Sequence, residues 1–271
     1  MKKLLFVILL NLFFIKVVAQ EVEKSEYYAS LKYKGYLFEA DRKGYFAEGI
    51  LKITFPNGKS RTYNLGTIET LVEADLNNDG KTEVLVGDYS GGAHCCYSYR
   101  VYSIINKKLK VSNVVNTGHC PVELKDVNSD STIELISCNS NYAYVYASFI
   151  SSILPARIYI YNNNIINDNT SNYKDYLRTY LVDEYKRLDE IIKDDFNGRI
   201  NCIEKDFDED SMWGPNEGMN NLRAKIASVF TLKYFVDGRY NAIEFLKNIY
   251  RCKQTYKKFE KSLLELIKTY K

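Results

Sequence analysis

The chain has 271 residues, with 37 Lys and Arg, 34 Asp and Glu and a formal net charge of +3. The surplus is confined to Lys2, Lys3 and Lys16, so the chain beyond residue 19 carries 34 basic and 34 acidic side chains. A balanced chain without a basic stripe lacks the electrostatic footprint of a nucleic-acid-binding protein. Roughly 250 residues are enough to bury a sizeable core in one or two domains.

The N-terminus has the pattern of a secretory signal peptide. Two lysines precede an almost wholly apolar run at residues 4–15, and small residues lead up to a cleavage site after Ala19. Asn11 and Lys16 interrupt the apolar run, whereas a membrane anchor needs about 20 apolar residues. We therefore predict that residues 1–19 are removed, and that the mature protein is exported to the periplasm or the extracellular space without a membrane attachment.

The first half of the mature chain predicts antiparallel strands. Residues 31–38, 45–55 and 60–65 are strand-like, and the last two segments are separated by Asn57-Gly58. Asn-Gly between apolar runs is a strong hairpin signal because both residues tolerate a positive φ. Further strands are predicted at residues 83–89, 98–105, 109–115, 134–138, 142–150 and 157–161.

The segment at residues 75–83, Asp-Leu-Asn-Asn-Asp-Gly-Lys-Thr-Glu, predicts a cation site. It places oxygen-bearing side chains at loop positions 1, 3, 5 and 9, with a glycine at position 6 for a sharp turn. A hard cation that takes several oxygen ligands, above all Ca²⁺, suits this donor set. The predicted ligands are Asp75, Asn77, Asp79, Glu83 and the backbone carbonyl near Lys81.

The same spacing recurs at residues 126–134, which makes it an internal repeat. Here Ser131 occupies the position of the turn glycine, so we expect a strained turn. The alternative for both segments is that Asx-rich loops are simply good turns. The predicted ligands of the second segment are Asp126, Asn128, Asp130, Glu134 and the backbone carbonyl near Thr132.

An EF-hand needs an acidic residue at position 12, where this chain has Val86 and Ser137. Each loop is followed instead by a short apolar strand. This loop-then-strand pattern resembles the FG-GAP or VCBS-type repeat of integrin α-subunit propellers and many secreted bacterial proteins. The resemblance covers two repeats, at about residues 67–162, and implies a calcium-binding blade element. A closed propeller needs at least four blades, so we do not expect one.

The C-terminal part predicts helices. The Asn-rich tract at residues 162–172 is interpreted as a linker, and beyond it the apolar period changes from 2 to 3.6. We therefore expect an α+β protein, with an antiparallel β-domain at residues 20–165 and a helical region at residues 166–271. Helices are predicted at residues 176–192, 216–235, 241–250 and 256–270.

Six cysteines in an exported chain predict disulfides. Their distribution favours Cys202 with Cys252 in the helical region, and the other four among themselves, with a bridge between neighbours as one option. The string Ser-Gly-Gly-Ala-His-Cys-Cys at residues 90–96 is similar to one in secreted bacterial proteins of unknown function that carry these repeats. The cysteines are Cys95, Cys96, Cys120, Cys138, Cys202 and Cys252.

Other chemistry remains open at this point. A His/Cys site for zinc or redox chemistry would use His94, Cys95, Cys96, His119 and Cys120, although disulfides explain the sulfurs more simply. A secreted hydrolase would use acidic residues of the β-domain, and a raised carboxyl pKa away from the loops would favour it. The alternating tyrosines at residues 142–146 either form an exposed row for sugars or peptides or pack in a core.

We expect the protein to be an exported, non-catalytic calcium-binding module. The predicted ions are structural, because each one neutralises clustered carboxylates and fixes a turn between strands. The predicted partner is a protein or glycan ligand that the sequence does not identify.

Overall fold

The computed structural model of the protein describes residues 28–42, 49–92, 95–196, 200 and 217–270. Among these residues, thirteen strands form three antiparallel sheets and precede four α-helices in the chain. This order confirms the α+β class, with an antiparallel β-part followed by a helical part. The described sheets do not close into a barrel or a propeller.

Sheet 1 is a four-stranded meander. The predicted strand at residues 31–38 is wrong, because the chain turns at Lys34 and Gly35, which have φ values of 47° and 86°. Glycine makes such a turn accessible, and the chain reverses to form a hairpin. The hairpin at residues 56–59 is confirmed. The strands, in spatial order, are β1 (Tyr28–Tyr33), β2 (Tyr36–Arg42), β3 (Gly49–Thr54) and β4 (Ser60–Leu65).

Sheet 2 is a second meander with one additional strand. The predicted turn at Asn106 and Lys107 is confirmed, and both residues have a positive φ. The predicted strand at residues 109–115 is divided in two, and both pieces pair with the same neighbour. The strands are β5 (Thr67–Ala74), β6 (Glu83–Tyr89), β7 (Tyr97–Ile105), β8 (Lys108–Val111) and β9 (Val115–Gly118), which pairs with β7.

Sheet 3 repeats the four-stranded meander. The Asn-rich tract at residues 162–172 is not a linker, because it supplies the turn at Asn163 and Asn164 and the last strand of this sheet. The predicted domain boundary at residue 165 thus falls on the first residue of that strand. The strands are β10 (Glu123–Lys125), β11 (Glu134–Cys138), β12 (Ala156–Asn162) and β13 (Ile165–Asp168).

The predicted strand at residues 142–150 is wrong. Two short 3₁₀ turns, Ser140–Tyr142 and Phe149–Ser151, occupy its ends. The tyrosines do not form a row on one face: Tyr142 is buried, whereas Tyr144 is 42% exposed. The hydroxyl of Tyr146 hydrogen-bonds to Ser262 at 2.7 Å, so this side chain packs against the helices.

The three sheets stack face to face. Val84 and Val86 of β6 belong to the core shared with sheet 1, while Leu85 belongs to the core shared with sheet 3. In β11, Leu135 joins the core with sheet 2, and the whole strand is buried. The central strands of sheets 2 and 3 are therefore covered on both faces, which explains the short apolar runs at residues 84–86 and 135–136.

The helices cover the remaining face of sheet 3. All four predicted helices are confirmed, and their apolar residues form one core with Ile158 of β12. Gly238, with a φ of 90°, makes the sharp turn between the second and third helices. None of the described helices is long and apolar enough to cross a membrane. The helices are α1 (Lys174–Phe196), α2 (Glu217–Asp237), α3 (Arg239–Ile249) and α4 (Tyr256–Ile267).

Candidate metal sites in two equivalent loops

The two acidic segments occupy the same place in successive sheets. Loop 1, residues 75–83, joins β5 to β6, and loop 2, residues 126–134, joins β10 to β11. Each therefore connects the first strand of its sheet to the second, and its position 9 is the first residue of that buried second strand. The sequence repeat is thus a repeat of structure, and both loops lie at corresponding edges of the stack.

In loop 1, the predicted ligands fold the backbone around themselves. Asp75 accepts hydrogen bonds from the amides of Asp79 at 3.2 Å and Gly80 at 2.9 Å. Asn77 Oδ1 accepts a second bond from the Asp79 amide at 3.2 Å, and Asp79 Oδ1 accepts one from Lys81 at 2.9 Å. The side-chain oxygens of positions 1, 3 and 5 therefore all point into the loop.

Loop 2 repeats three of these hydrogen bonds but differs at Asp126 Oδ1, which accepts from the backbone amides of Asn128 and Ser129. Asp126 Oδ2 accepts a hydrogen bond from the amide of Ser131, position 6, at 3.0 Å. Asn128 Oδ1 accepts one from Asp130 at 3.2 Å, and Asp130 Oδ1 accepts one from Thr132 at 2.7 Å. In addition, the side-chain amide of Asn128 donates to Asp130 Oδ2 at 2.9 Å, so both carboxylate oxygens of Asp130 are hydrogen-bonded.

The backbone conformation also repeats. Positions 4 and 6 have a positive φ in both loops: 55° at Asn78 and 80° at Gly80, and 64° at Ser129 and 69° at Ser131. Ser131 adopts the left-handed conformation that Gly80 adopts freely. Because a side chain at this φ is unfavourable, the expected strain in the second turn has a structural basis.

The glutamates at position 9 are buried at the base of the loops. Glu83 is 4% exposed and Glu134 is fully buried. Each accepts a hydrogen bond through Oε2 from the amide of loop position 2, from Leu76 at 3.1 Å and from Val127 at 2.9 Å. Glu134 Oε1 accepts a further bond from Tyr173 at 2.8 Å, whereas Glu83 Oε1 has no hydrogen-bond donor among the described residues.

The electrostatics of the loops differ. Burial, together with the negative charges of Asp79 and Asp75, raises the pKa of Glu83 to about 7, although its hydrogen bond from Leu76 lowers it. In loop 2, the backbone hydrogen bond from Thr132 lowers the pKa of Asp130. Hydrogen bonds therefore stabilise the charged form of Glu83 in loop 1 less well than that of Asp130 in loop 2.

The donor chemistry of loop 1 fits a hard cation. Asp75, Asn77, Asp79 and Glu83 bring only oxygen ligands, which Ca²⁺ prefers, and no described residue donates to the second carboxylate oxygen of Glu83. Within the described ranges, no three His, Cys, Asp or Glu side chains converge as a ready-made metal site. A cage in loop 1 therefore also depends on the amide oxygen of Asn77 and on a backbone carbonyl.

The loops are connected to each other. The amide of Ile133 donates to the carbonyl of Leu76 at 3.2 Å, and the side-chain amide of Asn78 donates to the carbonyl of Asp130 at 3.3 Å. On its other side, loop 1 meets the first hairpin of sheet 1, where Lys34 Nζ donates to the carbonyl of Thr82 at 2.9 Å.

This hairpin is the counterpart of the acidic loops in sheet 1, and it was not predicted from the sequence. Residues 34–35 also connect the first two strands of their sheet, but they carry no acidic side chain. Gly35, which interrupts an otherwise alternating strand pattern, is the sequence feature that indicates this turn.

The cysteines form the expected disulfides in the β-part. Cys95 pairs with its neighbour Cys96, and Cys120 pairs with Cys138. The amide of Cys96 donates to Ser90 Oγ at 2.6 Å, which holds the vicinal pair beside the end of β6. Cys252 is also disulfide-bonded. Cys202 lies outside the described residues, so its pairing with Cys252 stays a prediction.

A His/Cys zinc site would need thiolate ligands, but the sulfurs of Cys95, Cys96 and Cys120 are all in disulfides. His119 packs against the ring of Phe149, with 4.7 Å between ring centroids. His94 lies outside the described residues.

A hydrolytic site has little support in the described part of the chain. Glu83 of loop 1 is the carboxyl group there whose pKa is raised. A crevice of about 410 Å³ between sheet 3 and the helices contains Glu184. That carboxylate is paired with Lys225 at 2.7 Å and Arg187 at 3.1 Å, so it does not resemble a general acid.

Comparison with known proteins gives one distant relative. A stretch of 106 residues, 37% of this chain, is 28% identical to a protein of Synechocystis sp. described as a probable thylakoid lumen protein. The match covers 31% of that protein, so this chain spans about a third of the length of its curated relative. No family model matches the chain. None of the solved structures matches it either.

Proposed function

We propose that this chain is an exported, non-catalytic structural or binding module of the FG-GAP or VCBS type, in which loop 1 and loop 2 bind structural Ca²⁺. The observation that carries the proposal is the repetition of loop geometry. Both acidic loops connect the first and second strands of successive sheets, and three backbone hydrogen bonds recur in both, from position 6 to 1, from 5 to 3 and from 7 to 5.

The proposed role of the ion is electrostatic. When bound, Ca²⁺ supplies positive charge among carboxylates that the fold brings together. Asp75, Asn77 and Asp79 hold it through oxygens that already point into the loop, and Glu83 faces it from the buried end of β6. Because Glu83 and Asp75 flank the turn between β5 and β6, their common partner would fix that turn.

Three observations support a location outside the cytoplasm. The first 19 residues read as a signal peptide, and these lie outside the described residues. The disulfide between Cys120 and Cys138 is typical of proteins in oxidising compartments. The distant relative from Synechocystis is described as a probable thylakoid lumen protein, and we propose a comparable location outside the cytoplasm for this chain.

The proposed partner is a protein or a glycan. The surface at residues 143–152 supports a binding role, because several of its large apolar side chains are exposed to solvent. Ile150 is 91% exposed, Tyr144 42% and Val145 41%. Exposed apolar patches of this kind mark interaction sites in soluble proteins.

The test is thermal unfolding of the mature protein in excess Ca²⁺ and in EDTA. An ion at about 100 times its dissociation constant adds roughly 2.7 kcal/mol per site, which raises the Tm of a chain of this size by roughly 5–10 °C. We expect Asp75→Ala/Asp79→Ala to lose the larger part of this shift. The matched control, Asp183→Ala/Asp194→Ala, removes two exposed carboxylates from α1 and should keep it.

A wild-type protein whose Tm is the same in Ca²⁺ and EDTA would contradict the proposal. The loops would then be turns stabilised by their own Asx hydrogen bonds. A shift that both double variants retain would place the ion elsewhere.

A further inference from the structure

The crevice of about 410 Å³ between sheet 3 and the helices has the size and position of a binding site for a small molecule. One wall consists of the residues before β10, the end of β11 and the segment that leads into β12, and the other wall consists of α1 and α2. Small-molecule sites typically measure about 300–1,000 Å³ and lie where two parts of a fold meet. None of the residues that line this crevice belongs to loop 1 or loop 2.

The walls of the crevice are mostly apolar. Ile136 of β11 and Leu232 of α2 line it and are 6% and 2% exposed, so packing fixes both side chains in place. The disulfide between Cys120 and Cys138 also lines the crevice on the side of sheet 3. An occupant would therefore contact mainly aliphatic carbon and sulfur, and burial of apolar surface there favours a ligand with an apolar body.

Ser228 of α2 is a buried polar side chain in the lining of this crevice. It is 1% exposed, yet its hydroxyl makes no hydrogen bond to the described residues. Thr231, on the same helix and equally buried, donates to the carbonyl of Ala227 at 2.8 Å. Buried polar groups nearly always have a partner, because an unpaired hydroxyl gives up its hydration without compensation. A ligand with a hydrogen-bonding group would supply the partner that Ser228 lacks.

The charged groups of the crevice favour an uncharged ligand. Glu184 of α1 is 9% exposed and is ion-paired with Lys225 at 2.7 Å and with Arg187 at 3.1 Å. A charged ligand group would lose hydration on entry, and this carboxylate already has its counter-ions. Glu123, which also lines the crevice, is exposed and remains solvated.

We propose that this crevice binds a small uncharged molecule with an apolar body and a hydroxyl group, of the class of long-chain or aromatic alcohols. The apolar body lies between Ile136 and Leu232, and the hydroxyl of the ligand exchanges a hydrogen bond with Ser228. This site goes beyond the proposed function and does not depend on it, because neither acidic loop takes part.

The experiment is a fluorescence titration of the mature protein with N-phenylnaphthylamine, an uncharged probe whose emission rises in apolar surroundings. Decanol, decanoate and decylammonium then compete with the probe, since they share one chain length and differ in the charge of the head group. We expect decanol to displace the probe at a concentration about ten-fold lower than either charged competitor, because only the charged head groups lose strong hydration. Equal or better displacement by decanoate or decylammonium would overturn the assignment to an uncharged ligand.

Ser228→Ala tests the hydrogen bond and leaves the apolar walls intact. We expect it to weaken decanol binding about five-fold, which corresponds to the loss of one hydrogen bond, and to leave binding of the probe unchanged. The matched control is Ser60→Ala, at an exposed serine of β4, which should change neither affinity. Equal affinity for decanol in wild type and Ser228→Ala would overturn the role of this hydroxyl.

Ile153→Trp tests the location, because Ile153 is half-buried and lines the crevice. We expect binding of the probe and of decanol to fall about ten-fold, since the indole would occupy volume that the ligand needs. Two controls should bind as wild type does: Ile165→Trp, at an exposed position of β13, and Ile150→Ser, on the exposed surface at residues 143–152. Circular dichroism checks that each variant retains its fold.

The outcomes separate this site from the calcium proposal. Binding that folded Ile153→Trp retains, or that Ile150→Ser abolishes, would place the probe outside the crevice and overturn the inference. A wild-type protein that binds neither the probe nor decanol would overturn it as well. In each case the effect of Ca²⁺ on the Tm would still decide the proposed function by itself.

Discussion

The hydroxyl of Tyr173 donates a hydrogen bond of 2.8 Å to Oε1 of Glu134. Tyr173 immediately precedes α1, and Glu134 is the last residue of loop 2. The contact therefore joins the helical part to the acidic end of sheet 3. Burial and the hydrogen bond to Glu134 both raise the pKa of Tyr173, so the tyrosine stays neutral and acts as a donor.

We predict that Tyr173→Phe destabilises the protein by about 1–3 kcal/mol, because it leaves a fully buried carboxyl oxygen without its donor. Urea unfolding followed by circular dichroism measures this loss. Tyr240→Phe, at a side chain that is 75% exposed, is the control and should change little. Equal losses in the two variants would show that the contact contributes nothing.

Position 6 of the loops offers a reciprocal pair of substitutions. Ser131→Gly should stabilise the protein by about 0.5–1 kcal/mol, since glycine relieves the left-handed strain at a smaller entropic cost. Gly80→Ser should destabilise it by a similar amount. A Cβ at Gly80 would meet no atom within 4 Å, so the effect comes from the backbone alone. Unfolding in EDTA measures both changes, and effects of the same sign would refute the explanation.

The two disulfides of the β-part should differ in their contributions. Cys138 lies 18 positions after Cys120 in the sequence, whereas Cys95 and Cys96 are neighbours. In the loop-entropy model, removing the longer closure costs roughly 3 kcal/mol and removing the vicinal one about 1 kcal/mol. We predict this order for the double serine variants in urea unfolding. A vicinal pair that contributes the larger share would contradict it.

Alkaline pH should unfold the protein through its buried tyrosines. Burial raises the pKa of Tyr102 to about 12, and the charge of Arg100 partly offsets this; burial likewise raises that of Tyr159 to about 12. Both lie above the usual value near 10, so neutral tyrosine favours the folded state. Their stabilisation is complete below pH 10 and is lost as pH rises towards 12.

The measurement is a pH titration that follows phenolate absorbance and circular dichroism together. We expect the buried tyrosines to ionise in the same steep transition that abolishes secondary structure. A gradual ionisation centred near pH 10, with the circular dichroism intact, would show that these hydroxyls are accessible to solvent.

The central strands could be predicted from the sequence, because an acidic loop followed by a short apolar run is typical of a buried strand. The run from Glu83 to Tyr89 and the run from Glu134 to Cys138 match β6 and β11 to the residue. Each contains a short apolar run, at residues 84–86 and 135–136, directly after an acidic loop, and burial on both faces favours such a run. The stripes at a period of 3.6 identified the helices for a similar reason.

The errors arose where local pattern and tertiary contact disagree. The alternation at residues 142–146 fits a strand, yet Tyr142 and Tyr146 reach Thr231 and Ser262 in the helical part. Those contacts depend on residues 89 and 116 positions away, which local periodicity does not report. The Asn-rich tract misled for the opposite reason: its turn at Asn163 is polar, but the strand after it completes sheet 3.

The candidate site was predictable in its residues but not in its connections. Oxygen-rich side chains at fixed spacing identified Asp75 and Asp126 as equivalent positions. The bond from Asn78 to Asp130 spans 52 residues and exists only because sheets 2 and 3 stack with their loops side by side. Nothing in either segment alone indicates that they touch.

Because the sheets stack face to face, the stability of each sheet depends on its contacts with the neighbouring layers, as in a repeat protein. The outer face of sheet 1 is polar, with Lys52 paired to Glu39 at 2.9 Å, whereas sheet 3 hides Ile158 under the helices. The helices therefore serve as a terminal cap, in the place where another sheet would otherwise be needed. A fragment ending after β13 would expose that apolar face and aggregate, although every strand it needs for its sheets would still be present.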